Sequence, residues 1–303
     1  MTPAASVIVP AHDEAAVLPA LLARLAGAVG TGALDVVVVA NGCTDATAQV
    51  ARDAGVRVVE VAAASKTAAL DAGDAAARAF PRIYLDADVV VDGATLLALA
   101  DALRERPGAA VGAPTMHVDT TGSGWAVRQH YRVWALSEYR RTDHVGSGVY
   151  AVNAAGRARW GTFPDVVADD RFVQQRFAPA ERLTLPDRTF TVRAPRTLRA
   201  LLRRGTRIHR GNHQLAALGL ARPPGDWPLG DWPQGDRSPG GRTGPGRLAL
   251  ARRVAARPTL WPAFAVYCVG YGLPLLRARL DAVRRAPVTW NRDDTSRGLA
   301  VRP

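Results

Sequence analysis

The chain has 303 residues, 48% of them hydrophobic and 22% charged, a balance that fits a soluble globular protein with one large domain or two smaller ones. Its two cysteines, Cys43 and Cys268, lie far apart and outside any C-x-x-C pattern, which excludes a disulfide framework and a cysteine-built zinc site. The formal charge of +12 is unevenly spread: residues 1–115 carry 8 basic and 13 acidic side chains, residues 116–303 carry 31 and 14. A basic excess of that size suits an anionic lipid or a phosphorylated substrate. No RRM or zinc-finger signature is present, so nucleic acid is not an expected partner.

The N-terminal MTPAASVIVPAHDE has no basic n-region and runs straight into a strand-like segment, unlike a secretory signal. A cytoplasmic protein is expected. From there short β-branched runs alternate with Ala/Leu-rich stretches, the pattern of β-α-β crossovers and a parallel sheet covered on both faces. Strands are predicted at Ser6 to Pro10, Asp35 to Ala40, Val56 to Val61, Arg82 to Asp86 and Ala109 to Pro114. Helices are predicted near Ala15 to Ala28, Asp45 to Ala54, Thr67 to Ala79 and Ala94 to Arg104. In such sheets ligands bind beyond the carboxyl ends of the strands, and AHDE, NGCTD, ASK and DAD all fall there.

The stretch RIYLDADVVVDG breaks a strand-like run with Asp86 and Asp88. If strand geometry persists, the two acids share a face while Ala87 points away. Carboxylates held that close repel, and a divalent cation bound through hard oxygen ligands would offset the repulsion. The alternative is a pair of turn acids, one of them capping the next helix.

Further along, a helix is predicted around Trp125 to Arg141. A turn and strand follow in HVGSGVYAVN (His144 to Asn153), then an acidic turn opening a helix in FPDVVADDRFVQQRF (Phe163 to Phe177). Arg196, Arg199, Arg203, Arg207 and Arg210 recur at three- and four-residue steps, one face of a helix unless Gly205 interrupts it. Residues 223–246 are Pro/Gly-rich and read as a loop or linker. Leu260 to Leu276 is apolar, but at 17 residues with Pro262 and Pro274 it is short for a span of ~20 residues. A packed or interfacial helix pair is expected, with basic flanks suited to peripheral contact at an anionic inner leaflet. The expected organisation is an α/β half over 1–115, a second half over 116–222, the loop 223–246 and a helical C-terminal extension over 247–303.

VIVPAHDE, VVVVANGCTDAT, SKTAALDAG, IYLDADVVVD, GSGVYAV and ADDRF occur in the order seen in family 2 glycosyltransferases, and the resemblance spans Ser6 to Leu215. It implies a GT-A fold, with a mixed and mainly parallel sheet flanked by helices. It also implies transfer with inversion from a nucleotide-diphosphate sugar, using Mn2+ or Mg2+. By that resemblance Asp88 coordinates the metal, and Asp86 contacts the ribose or the metal's water shell. Pro10, Ala11 and Glu14 form the first nucleotide-contact loop, Ala87 sits between the paired acids, and Lys66 faces the base or the diphosphate. Asn41 stands where the family usually has an acid, a departure that leaves the base unspecified, though its amide can both donate and accept.

An inverting transfer needs a base on the sugar face opposite the leaving group, from a segment distant from the metal site. The resemblance assigns this role to Asp170, with Asp169 as the neighbour that could raise the pair's pKa by like-charge repulsion. Gly146, Ser147 and Gly148 fall at the acceptor side. Arg207 and Arg210 could hold the diphosphate or an anionic acceptor, and Ile208 stands where processive members carry tryptophan, which speaks against processive synthesis. The acceptor remains open among a glycan end, a lipid-linked sugar, a protein and a small molecule. The rival readings are a nucleotidyltransferase, whose Gly-rich basic N-terminal signature is missing, and a degenerate glycan-binding module.

Overall fold

The computed structural model describes residues 2–137, 145–221 and 245–284, side chains at 245–249 excepted. The predicted loop at 223–246, with Trp227 and Trp232, lies outside the described residues except for its last two. The described residues group into two compact units, residues 2–117 with 145–192, and residues 118–137 with 193–221 and 245–284.

The first unit is built on a seven-stranded sheet in the order β3-β2-β1-β4-β6-β5-β7. Its strands are β1 (Ala5–Ala11), β2 (Leu34–Asn41), β3 (Arg57–Val61), β4 (Arg82–Leu85), β5 (Val111–Asp119), β6 (Val149–Val152) and β7 (Arg182–Arg193). The helices of this unit are α1 (Leu18–Gly30), α2 (Thr47–Asp53), α3 (Lys66–Ala76) and α4 (Gly93–Arg104), followed after α5 by the short α6 (Ala154–Arg157) and α7 (Asp169–Gln174). Strands β1 to β4 run parallel, and β6 is antiparallel to both β4 and β5. The sheet is therefore mixed, with its first four strands mutually parallel. Every residue of β2 is buried, as a strand covered on both faces requires. In α1, Leu18, Leu21, Leu22 and Leu25 recur at helical spacing and form its buried stripe. Helix α3 lies close on β1 because Gly73 has no side chain: a Cβ there would come within 2.3 Å of Ile8 Cγ2.

The five N-terminal strands and four helices expected from the sequence are all present within a few residues. Strand β7 was not foreseen. It stands at the edge of the sheet, where Pro186 does not break a ladder on both sides, and that proline together with Asp187 and Arg188 hides its alternation of Phe190 and Val192, which are buried.

The second unit contains α5 (Trp125–Trp134), α8 (Leu198–Ala217), α9 (Pro245–Ala255) and α10 (Trp261–Val283). Helix α8 is capped by Thr197, whose hydroxyl accepts from Ala200 N, and runs unbroken through Gly205. Gly205 packs directly on Pro274 of α10, where a Cβ would lie 2.9 Å from the proline ring. The expected helix pair at Leu260 to Leu276 is instead one continuous helix. Pro262 falls at its start, where a missing N–H leaves no bond unmade, and Pro274 is accommodated inside it. Leu250, Val254, Leu260 and Ala263 pack with Val133 of α5.

Candidate active site

The site lies at the carboxyl edge of β1 and β4. The two strands pair in parallel, Ile8 opposite Tyr84, so their ends, at Pro10 and Asp86, emerge side by side. Strand β6 runs the other way, with Val149 opposite Leu85, and this brings the turn before it to the same edge: Asp86 N donates to Gly148 O at 2.8 Å. Helices α3 and α7 begin there as well, contributing Lys66 and the adjacent Asp169 and Asp170. One small pocket is lined by Pro10, Lys66, Asp86, Gly148, Asp169 and Asp170, with Tyr84 and Tyr150 in its floor.

The centre of the pocket is ionic. The Lys66 ammonium lies 2.9 Å from Asp86 Oδ1 and 3.1 Å from Asp169 Oδ1. Lys66 is the first residue of α3, at the positive end of the helix dipole, where a cation is disfavoured; the acids around it offset that cost. Burial opposes its charge, yet Asp169, Asp86 and Asp170 hold its pKa above the ordinary lysine range. For Asp169 burial dominates and pushes the carboxyl up to about 6, with Lys66 pulling it down and Asp170 and Asp86 pushing further up.

A row of aromatic residues supports Asp169 from below. Tyr150 on β6 donates its hydroxyl to Asp169 Oδ2 at 3.2 Å. Its ring stacks on Tyr84 at 4.8 Å between centroids. Tyr84 in turn donates to Asp74 at 3.0 Å, a buried acid paired with Arg82 at 2.7 Å and Arg157 at 2.6 Å. Burial and then Asp169 keep the Tyr150 hydroxyl well above its usual pKa, so it stays a donor.

Asp170 is held by the turn that precedes β6. Ser147 N donates to Asp170 Oδ2 at 3.0 Å, with Ser147 at φ 57° and Gly146 and Gly148 at φ 109° and 110°. Both glycines are required by contact as well as conformation. A Cβ on Gly146 would sit 2.4 Å from Asp170 Oδ2, and one on Gly148 would sit 2.5 Å from Val89 Cγ2.

Strand β4 stops at Leu85, and Val89 N donates back to Asp86 O at 3.3 Å. Asp86 to Val89 is therefore a turn, and the strand alternation expected for Asp86 and Asp88 does not extend through them; Ala87 is buried and Asp88 exposed. Asn41, also buried, uses its amide nitrogen on Ala11 O at 2.9 Å and Val39 O at 3.4 Å, tying the ends of β1 and β2 together. Glu14 is buried and its N–H donates to Thr47 Oγ1 at 2.8 Å. Arg207 and Arg210 belong to the second unit, where Arg210 Nη2 pairs with Asp281 at 2.7 Å.

Among the described residues, Asp13, Cys43 and Asp45 form a group of three potential metal-ligating side chains whose ligand atoms all lie within 4.8 Å of one another. Asp13 there accepts from the Thr44 and Asp45 N–H groups at 2.6 and 3.2 Å, which accounts for the cluster as a loop clasp. Tyr150, Tyr84 and Asp74 were missed by the sequence reading. Tyr150 stands within the GSGVYAV motif, but only its pairing opposite Tyr84 across β4 and β6 reveals its role.

The chain matches the family model described as glycosyl transferase family 2 over residues 6–160, more than half of its length. A search of curated proteins by sequence finds no match. Among solved structures it is similar to a mannosyltransferase from Pyrobaculum calidifontis in complex with GDP-Man and Mn2+, with 19% identity, a TM-score of 0.62, and coverage of 95% of this chain and 89% of that one. It also matches glucosyl-3-phosphoglycerate synthase from Mycobacterium tuberculosis in complex with phosphoglyceric acid, at 20% identity and a TM-score of 0.48 over 62% of this chain and 70% of that one. The family match, together with the mixed sheet and its flanking helices, shows that the chain belongs to glycosyl transferase family 2 and has the GT-A fold.

Proposed function

We propose that the chain is an inverting, metal-dependent glycosyltransferase that moves a sugar from a nucleoside-diphosphate sugar to an acceptor hydroxyl. The observation that carries this reading is the gathering of Asp86, Asp169 and Asp170 around the single lysine of the chain at the carboxyl edge of the sheet. That edge is where open α/β sheets take nucleotides. The GDP-Man in the Pyrobaculum calidifontis mannosyltransferase supports a nucleotide-sugar donor.

The donor set fits a hard divalent cation. Asp86 and Asp88 offer carboxylate oxygens, the ligand chemistry of Mn2+ or Mg2+, and Asp86 already draws a cationic group to 2.9 Å. When bound, the metal supplies Lewis-acid neutralisation of the charge that builds on the departing diphosphate. Pro10, Ala11 and Glu14 frame the nucleotide from β1, with Asn41 holding that edge in place and Ala87 presenting the backbone between the two acids. Lys66 contributes a fixed positive charge on the donor side.

Asp170 is the base. Its carboxylate is fixed by Ser147 N and takes the proton of the acceptor hydroxyl. The acceptor oxygen then bonds to the anomeric carbon from the face opposite the diphosphate as the carbon–oxygen bond to phosphate breaks, which inverts the configuration. Asp169, buried against Lys66 and Tyr150, positions the lysine. The Gly146-Ser147-Gly148 turn lines the acceptor side. The acceptor is a glycan end, a lipid-linked sugar, a protein or a small molecule.

The test is hydrolysis of a panel of nucleotide sugars with Mn2+ or Mg2+, comparing the native chain with Asp88→Ala. Turnover of one donor that needs the metal and disappears in the variant is the expected result. Equal turnover by both proteins would overturn the metal assignment.

A further inference from the structure

Helix α10 is apolar on two opposite faces, and only one is covered by the described residues of its own unit. Ala263, Gly270, Pro274 and Ala278 are buried, with Tyr267 and Asp281 partly so. This stripe packs on α5 and α8: His130 stacks on Tyr267 at 5.1 Å, Pro274 meets Gly205, and Asp281 pairs with Arg210. At 100° per residue the opposite stripe holds Trp261, Ala265, Cys268, Val269, Gly272, Leu273, Leu276, Leu280 and Val283. All nine are exposed, with Trp261 at 58%, Leu273 at 51%, Leu276 at 55% and Val283 at 84%. From Trp261 to Leu276 the stripe is apolar over roughly 24 Å, with Arg279 standing in it before Leu280 and Val283, far more than the scattered exposed hydrophobes of an ordinary surface.

We propose that this outward face of α10 is a docking surface for an anionic lipid bilayer, on which the helix lies in the interface. Charge selects this occupant. The described part of the second unit carries sixteen arginines against two aspartates, Asp119 and Asp281, and Asp281 is turned inward to Arg210. Arg257 precedes the helix, Arg277, Arg279 and Arg284 end it, and Arg252 and Arg253 stand on α9, all of them exposed. An apolar stripe edged by arginines matches the acyl boundary and headgroups of an anionic leaflet. A second copy of so basic a unit would bring like charges together. Pro258–Val283 is long and apolar enough to cross a membrane, but a lone crossing would strip α10 from α5 and α8, undoing the His130–Tyr267 stack and the Arg210–Asp281 pair.

Cys268 lies in the stripe and reports on it directly. The full chain is treated with a maleimide, and labelling of Cys268 is followed by peptide mass spectrometry in buffer, with phosphatidylcholine vesicles, and with vesicles containing about one-third phosphatidylglycerol. Flotation is measured on the same samples. The expected outcome is rapid labelling in buffer and with neutral vesicles, slowed about tenfold by the anionic ones, with the protein floating only with the latter. Leu273→Glu with Leu276→Glu, both at exposed positions, abolishes flotation, and Arg277→Glu with Arg279→Glu removes the preference for anionic lipid. Protection of Cys268 without lipid would overturn the proposal, because the stripe is then covered by residues 222–244 or by a second copy. Rapid labelling and no flotation under all three conditions would overturn it as well.

Discussion

The ammonium of Lys66 lies 2.9 Å from Asp86 and so joins the end of β4 to the start of α3. The same nitrogen reaches Asp169 at 3.1 Å, which makes one cation responsible for neutralising acids from two different segments. Replacing it by glutamine strands Asp169 in a buried site. Lys66→Gln is expected to lose about 3 kcal/mol of stability at pH 8, the low end for a broken buried pair. The loss shrinks at pH 5. Asp169 titrates at about 6 in the folded chain against an ordinary 3.8, and losing Lys66 moves it higher still. The folded state then binds more protons than the unfolded one, so stability falls as pH rises. Urea midpoints at both pH values check this; an equal loss at pH 5 and 8 would contradict it.

Asp170 carries a different expectation, because its geometry is set by the Gly146-Ser147-Gly148 turn and not by Lys66. Asp170→Asn keeps the shape and the bond from Ser147 but accepts no proton. Transfer is expected to fall by about 10²–10⁴ while donor binding, measured by calorimetry, stays within error. Loss of binding and turnover together would assign Asp170 to the donor instead.

The elements that the sequence made legible are those whose pattern is local. The apolar run of Asp35 to Ala40 could only be a doubly covered strand, and Ser65 and Asp92 cap the helices that begin after them. The acids were legible because they interrupt such runs at strand ends and helix starts. What escaped depends on partners far along the chain. Tyr150 reads as an ordinary strand former until β6 places it beside Tyr84. Lys66 was expected to face a nucleotide, and that it also bridges Asp86 and Asp169 follows from the meeting of α3, β4 and α7. The helix pair expected around Pro262 and Pro274 failed because proline penalties depend on position, and Gly205 opens the room that Pro274 occupies.

Tyr150 offers a separation of positioning from folding. Tyr150→Phe preserves the stack on Tyr84 and removes only the hydroxyl bonded to Asp169. A stability loss of about 1 kcal/mol is expected. If Asp169 orients Lys66 toward the reacting donor, kcat falls about tenfold, or about 1.4 kcal/mol of barrier, with KM unchanged. A variant with native kcat would show the hydroxyl to be structural alone.

Gly146 links backbone conformation to the base. At φ 109° a side chain is strained, and a Cβ would be driven against Asp170 Oδ2 at 2.4 Å. Gly146→Ala is expected to cost about 2 kcal/mol and to lower turnover by displacing Asp170. Gly108→Ala, where a Cβ meets nothing within 4 Å, is the control and leaves turnover unchanged. Comparable activity loss in both variants would separate the effect from Asp170.

The second unit has its own pH response, centred on His130. This residue is buried between Tyr131 and Tyr267, with Nδ1 lacking a hydrogen-bond partner and Gly270 so close that a Cβ there would lie 2.5 Å from it. Burial lowers its pKa from 6.5 to about 4. Between those values the unfolded chain binds a proton that the folded chain does not, so stability is full above pH 6.5 and declines as pH falls toward 4. The full effect is about 3 kcal/mol. His130→Leu cannot take up the proton in either state, and its urea midpoint should vary less with pH over this window than that of the native chain. If both proteins lose stability in parallel on acidification, the buried imidazole is not the source, and the response belongs to the carboxylates.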